Sequence, residues 1–107
     1  DEQLRPILLI GLGVILVEIL ADVQSRVSPM SASEAQRALE NLKGAKIFAG
    51  ARGAPPADMV ALADMAARLS WLAHDLRGKI AELDLNPVIV LPQGQGAFAV
   101  DALMVAR

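Results

Sequence analysis

The sequence predicts an α+β fold, in which a mixed or antiparallel sheet carries two helices packed on it. Apolar and alternating stretches near both ends of the chain indicate strands. Between them lie two segments with helical spacing, each with a start and a stop signal. A length of 107 residues suits one domain rather than two. We therefore expect residues 1–107 to form a single domain with one layer of strands and one of helices.

Two strands are predicted over residues 7–10 and 14–20, both buried on both faces because apolar residues fill both alternating positions. This apolar run is shorter than the ~20 residues of a membrane span, so no membrane partner is expected. A third strand is predicted over residues 22–27. Gly11 and Gly13 separate the first two strands. Their backbone amides could approach a phosphate closely, and a plain tight turn explains them equally well.

Both predicted helices are punctuated in the sequence. Ser31-Ala32-Ser33-Glu34 matches a capping box, and Gly44 supplies the stop of the first helix. The second helix is predicted from about Asp58 to Arg77. Its apolar residues lie three and four positions apart and form one stripe that would face the sheet. These residues are Leu62, Met65, Leu69, Leu72 and Leu76.

A half-buried strand is predicted over residues 81–91, and one of its faces carries oxygen atoms. Polar and apolar residues alternate, so Glu82, Asp84 and Asn86 share a face. Neighbouring carboxylates repel each other unless they are solvated, paired or bound to a cation. Hard divalent cations prefer oxygen ligands of these kinds. Acidic residues on a strand also often face water alone, and spacing does not decide between the two interpretations.

A turn over residues 92–96 and a returning strand over 97–101 would complete a hairpin. The hairpin brings Asp101 to within one or two residues of Asn86 across the ladder. Asp84, Asn86 and Asp101 are therefore the candidate metal ligands, with the acidic residue at position 82 nearby.

Composition restricts the classes of partner. Ten Lys and Arg residues and twelve Asp and Glu residues give a net charge of −2, and neither sign forms a block, so no nucleic-acid partner is expected. The absence of cysteine excludes disulfides and thiolate zinc sites and suits a reducing, cytoplasmic setting. The single histidine, His74, is assigned to the surface of the second helix rather than to catalysis. Because the chain begins at Asp1 with no secretory signal, we expect it to be part of a longer protein.

Residues 11–23, residues 50–58, and residues 82–90 together with 99–102 occur in the same order as three features of a known family. They resemble the glycine-rich strand pair, the mid-domain loop and the closing signature of the C-terminal part of an ATP-grasp domain. The family is that of the NDP-forming (ADP-forming) acyl-CoA synthetases, which are related to the β subunit of succinyl-CoA synthetase. The resemblance covers nearly the whole chain. It departs at Val14, where the family usually carries a second glycine.

The resemblance implies ATP- or ADP-dependent acyl-CoA chemistry through acyl-phosphate and phosphohistidine intermediates. It implies that Asn86 and Asp101 hold Mg²⁺, with Asp84 beside them. Gly11, Gly13 and Glu18 are the implied nucleotide-side residues. The CoA-binding and phosphohistidine-bearing domains would lie outside this chain, so the expected partners are the nucleotide and other domains of the same polypeptide, and the chain alone should be inactive.

Two other functions remain open. The resembled module also occurs in multidomain protein lysine acetyltransferases, where it would bind nucleotide or another ligand as a regulatory module. A purely structural α+β interaction module is the third possibility. If the first two strands are apolar on both faces, the isolated chain would leave one face or edge bare and would self-associate.

Overall fold

The computed structural model describes residues 4–11, 14–23, 28–50 and 53–107. Over these ranges the chain forms two strands, then two α-helices, then three strands. The strands are β1 (Leu4–Gly11), β2 (Val14–Asp22), β3 (Ile80–Val90), β4 (Ala97–Ala99) and β5 (Ala102–Ala106). The helices are α1 (Ala32–Glu40) and α2 (Met59–Asp75), with a short 3₁₀ helix over Ala45–Ala49 between them.

All the described strands pair antiparallel in one sheet, in the order β1-β2-β3-β4. β5 also pairs with β3, on the same edge as β4. The long strand β3 is therefore central, with β2 along one edge and β4 followed by β5 along the other. The predicted α+β class is confirmed, and of the two predicted sheet types the antiparallel one is correct.

The two faces of this sheet differ. We call the face that packs against α2 the inner face and the opposite one the outer face. Val17, Ile19 and Ala21 of β2 lie on the inner face and are completely buried. Alternate residues point to opposite faces, so Ile7 and Leu9 of β1, which the register sets beside even-numbered residues of β2, lie on the outer face. Both are about half-exposed.

The first helix begins as its sequence predicts. Ser31 Oγ accepts from the backbone N–H of Glu34 at 3.1 Å, and the Ser31 N–H donates to Glu34 Oε1 at 3.1 Å. The hydrogen bonds from Ser31 hold the pKa of Glu34 below its usual value. After α1 ends at Glu40, Gly44 adopts a φ of +84°, which a glycine tolerates without strain. α1 packs mainly against α2 rather than against the sheet.

The second helix buries a wider surface than the predicted stripe. Leu62 and Leu69 are buried, but Leu72 is 44% exposed. Small residues between the leucines are buried because α2 lies between α1 and the sheet and is approached from both sides. They are Ala63, Ala66, Ala67, Ser70 and Ala73. Ser70 ties this layer together, since its Oγ donates to the Ala67 carbonyl and accepts from the Met30 N–H at 2.9 Å.

Three strand predictions need correction. β1 is not buried on both faces, because the chain covers only the inner one. The predicted third strand over residues 22–27 is wrong at its start, since Asp22 ends β2 and Val23 lies in a helical turn, and residues 24–27 lie outside the described ranges. The returning strand stops at Ala99, and a further strand, β5, follows. Within the described residues, neither helix has the length and apolarity needed to cross a membrane.

Candidate functional site

A bulge in β3 organises the candidate site. The pairing of β2 with β3 shifts by one residue around Glu18, so that Asn86 and Pro87 stand opposite this single residue. Pro87 has no N–H to give to a ladder. On the other edge of β3 the Asn86 N–H donates to the Asp101 carbonyl at 3.2 Å, and the Val100 N–H donates to the Pro87 carbonyl at 2.9 Å. The interruption between β4 and β5 therefore lies beside the bulge.

Glu18, Asn86 and Asp101 meet at this point from three segments of the chain. Asn86 Nδ2 donates to Glu18 Oε1 at 3.2 Å. Asp101 Oδ1 accepts from the Ala102 N–H at 2.8 Å, which fixes the carboxylate against its own backbone. Asn86 and Asp101 are exposed, and Glu18 is half-buried. The predicted proximity of Asn86 and Asp101 is therefore present in the structure.

Asp84 lies on the outer face two residues before Asn86, where it pairs with Leu20 of β2 and Leu103 of β5. Its Oδ1 atom is buried and has no hydrogen-bond partner among the described residues. A buried carboxylate oxygen without a partner is unfavourable. A cation or an ordered water beside it would relieve this cost, so the residue types present fit a hard cation.

The carboxylates alone do not form a metal centre. Within the described ranges, no group of three or more His, Cys, Asp and Glu side chains is placed to hold an ion. Mg²⁺ is usually held by one or two carboxylates, with waters and substrate phosphates completing its shell. A site here would thus use the amide oxygen of Asn86 and the carboxylate of Asp101 together with phosphate oxygens. Glu82 lies further along the same face, opposite Asp22.

The glycine candidates are only partly described. Gly11 ends β1 and pairs with Val14 at the start of β2. Gly13 lies outside the described residues. A phosphate contact at this turn therefore stays a prediction.

Asp58 has a role that the sequence did not predict beyond its place at the start of α2. Its Oδ1 accepts from the Ala61 N–H at 3.1 Å, and its Oδ2 accepts from the N–H groups of Gly94 at 3.1 Å and Gly96 at 2.8 Å. The bond from Ala61, followed by those from the two glycines, holds the pKa of Asp58 below its usual value against the opposing effect of burial. The sequence signal was an N-capping Asp combined with a turn that carries two glycines.

These bonds fasten the hairpin turn to the start of α2. The Asp58 N–H also donates to the Leu91 carbonyl at 2.8 Å, and the Gln93 N–H donates to the Pro56 carbonyl at 2.8 Å. The turn is thereby held from both sides. Because β4 and the segment after it continue from this turn, the same contacts help to hold Asp101 beside Asn86.

Comparison with known protein families identifies the family of this chain. The chain matches the model of the ATP-grasp domain over residues 1–106. It belongs to the ATP-grasp family. The chain is 43% identical over 107 residues to the β subunit of the ADP-forming acetate–CoA ligase II of Pyrococcus furiosus. The match covers 100% of this chain and 45% of that relative. The chain is 38% identical over 96 residues to the ADP-forming 4-hydroxybutyrate–CoA ligase of Nitrosopumilus maritimus, covering 90% of this sequence and 14% of the relative.

Solved structures agree with this assignment. The dinucleotide-forming acetyl-coenzyme A synthetase 1 of Ca. Korarchaeum cryptofilum, in complex with coenzyme A and acetyl-coenzyme A, matches with a TM-score of 0.69 and 31% identity over 97% of this chain and 50% of that one. A second structure of that protein, with coenzyme A and Mg-AMPPCP, matches with a TM-score of 0.64 and 31% identity over 94% of this chain and 50% of that one. The relatives of this ATP-grasp chain are ADP-forming acyl-CoA ligases, and the predicted resemblance is confirmed. The chain spans less than half of the Pyrococcus furiosus subunit.

Proposed function

We propose that this chain is the C-terminal ATP-grasp portion of an ADP-forming acyl-CoA synthetase, in which Asn86 and Asp101 hold Mg²⁺ against the phosphates of a bound nucleotide. The observation that carries the proposal is the β3 bulge, where the backbone of Asn86 is hydrogen-bonded to that of Asp101 in the segment between β4 and β5, and both residues are exposed. The Mg-AMPPCP complex of the Korarchaeum relative supports the same class of ligand.

Each residue has a distinct task in this proposal. Asn86 offers its amide oxygen and Asp101 offers a carboxylate oxygen whose orientation the bond to the Ala102 N–H maintains. Asp84 adds negative charge beside them through an oxygen that has no partner in the described part of the chain. Bound Mg²⁺ would neutralise the charge that phosphate oxygens carry during phosphoryl transfer. A site this exposed requires further protein to enclose the nucleotide.

The remaining functions belong to the longer protein in this proposal. CoA binding, the phosphohistidine and the acyl pocket would lie in other domains of the same enzyme, which would act in the cytoplasm. The isolated chain would accordingly show no activity and no measurable Mg-ATP affinity. The relatives named above are ligases, which favours this function over a regulatory module of an acetyltransferase.

The test is to replace the two proposed ligands in the full-length protein. Asn86→Ala and Asp101→Ala should each lower kcat/KM for the conversion of acyl-CoA, ADP and phosphate into free acid, CoA and ATP by about a hundredfold or more at limiting Mg²⁺. Asp75→Ala is the matched control, since it removes an exposed carboxylate at the far end of α2. Unchanged activity in both ligand variants would reject the metal assignment.

A further inference from the structure

We infer that Glu18 is a positioning residue, which sets the end of the Asn86 amide that faces the metal. This inference rests on the proposed function. It assigns Glu18 a role through Asn86 rather than through direct contact with the nucleotide or the ion.

The geometry that carries the inference is a single contact at the bulge. Glu18 Oε1 accepts from Asn86 Nδ2 at 3.2 Å, across 68 residues of sequence. Glu18 is rigidly placed, because its neighbours Val17 and Ile19 are both completely buried in the core. Asn86 itself is exposed and lies where β3 leaves regular pairing, so little else holds its side chain. The bond to Glu18 is the only side-chain hydrogen bond that Asn86 makes within the described residues.

The chemistry of the two groups fixes the orientation. An ionised carboxylate only accepts hydrogen bonds, whereas an amide has a donor end and an acceptor end. Glu18 therefore selects the orientation in which the NH₂ group of Asn86 points towards β2 and the carbonyl oxygen points away from it. A cation binds the carbonyl oxygen and is repelled by the NH₂ group. Without Glu18, the amide can rotate by half a turn and present the wrong end.

Partners that orient metal ligands in this way commonly change metal affinity by 10- to 100-fold when they are removed, as a rough range. A matched control exists on the same face. Glu82 is also a half-buried glutamate of the outer face, yet it makes no hydrogen bond with Asn86. Replacing Glu18 or Glu82 with Ala removes the same charge, and only the first replacement removes the contact.

The experiment measures ADP affinity of the full-length protein by calorimetry, once in EDTA and once in excess Mg²⁺. The dissociation constant in EDTA divided by that in Mg²⁺ gives the contribution of the ion to ADP binding. The constant in EDTA also shows whether a variant is still folded. Glu18→Ala should lower the ratio by about tenfold. Glu18→Gln should keep most of it, because the Gln carbonyl can still accept from Asn86. Glu82→Ala should change it little, and an equal loss in Glu18→Ala and Glu82→Ala would overturn the inference.

A second background separates positioning from direct ligation. In Asn86→Asp the two carboxylate oxygens are equivalent, so no wrong end exists. Adding Glu18→Ala to that variant should change the ratio no more than adding Glu82→Ala does, because each then removes only one nearby negative charge. A tenfold loss in both backgrounds would show that Glu18 acts on the ion itself and would overturn the inference. If Asn86→Ala alone leaves the ratio intact, the proposed function fails instead.

Discussion

The inner and outer faces of the sheet are built from the same strands but have different surroundings. On the inner face Val17 and Ile19 have 0% exposure, whereas on the outer face Ile7 is 49% and Leu9 is 46% exposed. In β1 and β2 most residues on both faces are apolar, but only the inner face is covered by this chain. The outer face carries Asn86 of the candidate site and its partner Glu18. An apolar surface that surrounds polar groups is typical of a binding face rather than of a folding core.

This difference separates stability from function within single strands. Inner-face residues of β2 hold the fold through burial against α2. Glu18, on the same strand, points to the opposite face and contacts the candidate site. A replacement at Val17 or Ile19 should therefore lower the stability of the fold, and a replacement at Glu18 between them should lower the affinity for the ligand.

The largest expected effect lies on the inner face. Ile19→Ala or Leu62→Ala should lower the free energy of unfolding by about 3 kcal/mol, because each removes a completely buried side chain and leaves a cavity. Leu9→Ala on the outer face should cost less than about 1 kcal/mol. Urea unfolding of the full-length protein measures both. Equal losses would mean that the outer face is as tightly packed as the core.

A smaller effect should appear in the association of the isolated chain. We expect the chain to self-associate through its N-terminal strands β1 and β2, and Ile7→Lys or Leu9→Lys on their outer face should weaken this by several-fold in light scattering. Val17 is unsuitable as a probe because it is completely buried. Leu103→Lys is the control and should weaken association less, because Leu103 is 55% exposed on the same face but lies on β5, on the other side of β3 from β1 and β2. A clean monomer of the unaltered chain at high concentration would contradict the expectation.

The smallest effect concerns the attachment of the hairpin turn. The folded-state pKa of Asp58 is below its unfolded value, so its stabilising contribution is present above the usual aspartate pKa and is lost as pH falls through the lowered one. The urea midpoint of Asp58→Asn should therefore lie below that of the unaltered protein at neutral pH, and the gap should narrow in acid. Asp75→Asn, at an exposed carboxylate near the end of α2, is the matched control. A gap that is constant with pH would contradict the role of the carboxylate.

The sequence predicted the local features well. The capping box at Ser31 and the proximity of Asn86 to Asp101 both follow from patterns within short segments, and both are present. A proline inside a central strand indicates a bulge, so Pro87 was a signal that the prediction of a regular strand overlooked. The bulge itself was not predicted, since its position depends on which residue of β2 stands opposite.

The features that the sequence did not predict depend on parts of the fold that are distant in sequence. The exposure of Ile7 and Leu9 follows from the fact that this chain covers only one face, and no local pattern contains that information. The same holds for Leu72, which has the right helical spacing but lies where α2 extends past its cover. Asp58 acts on a turn 36 and 38 residues away, at Gly94 and Gly96, and such a contact is visible only once the hairpin is folded against α2.

The most direct test of the metal assignment is a crystal structure of the full-length protein with Mn²⁺ and ADP, with anomalous data collected near the manganese edge. We expect an anomalous peak within direct coordinating distance of Asn86 Oδ1 and of one carboxylate oxygen of Asp101, with nucleotide phosphates completing the shell. Glu18 should then remain bonded to the Asn86 amide nitrogen and lie outside the coordination shell. A manganese peak that is bound on the protein by other residues, with Asn86 and Asp101 uncoordinated, would contradict it.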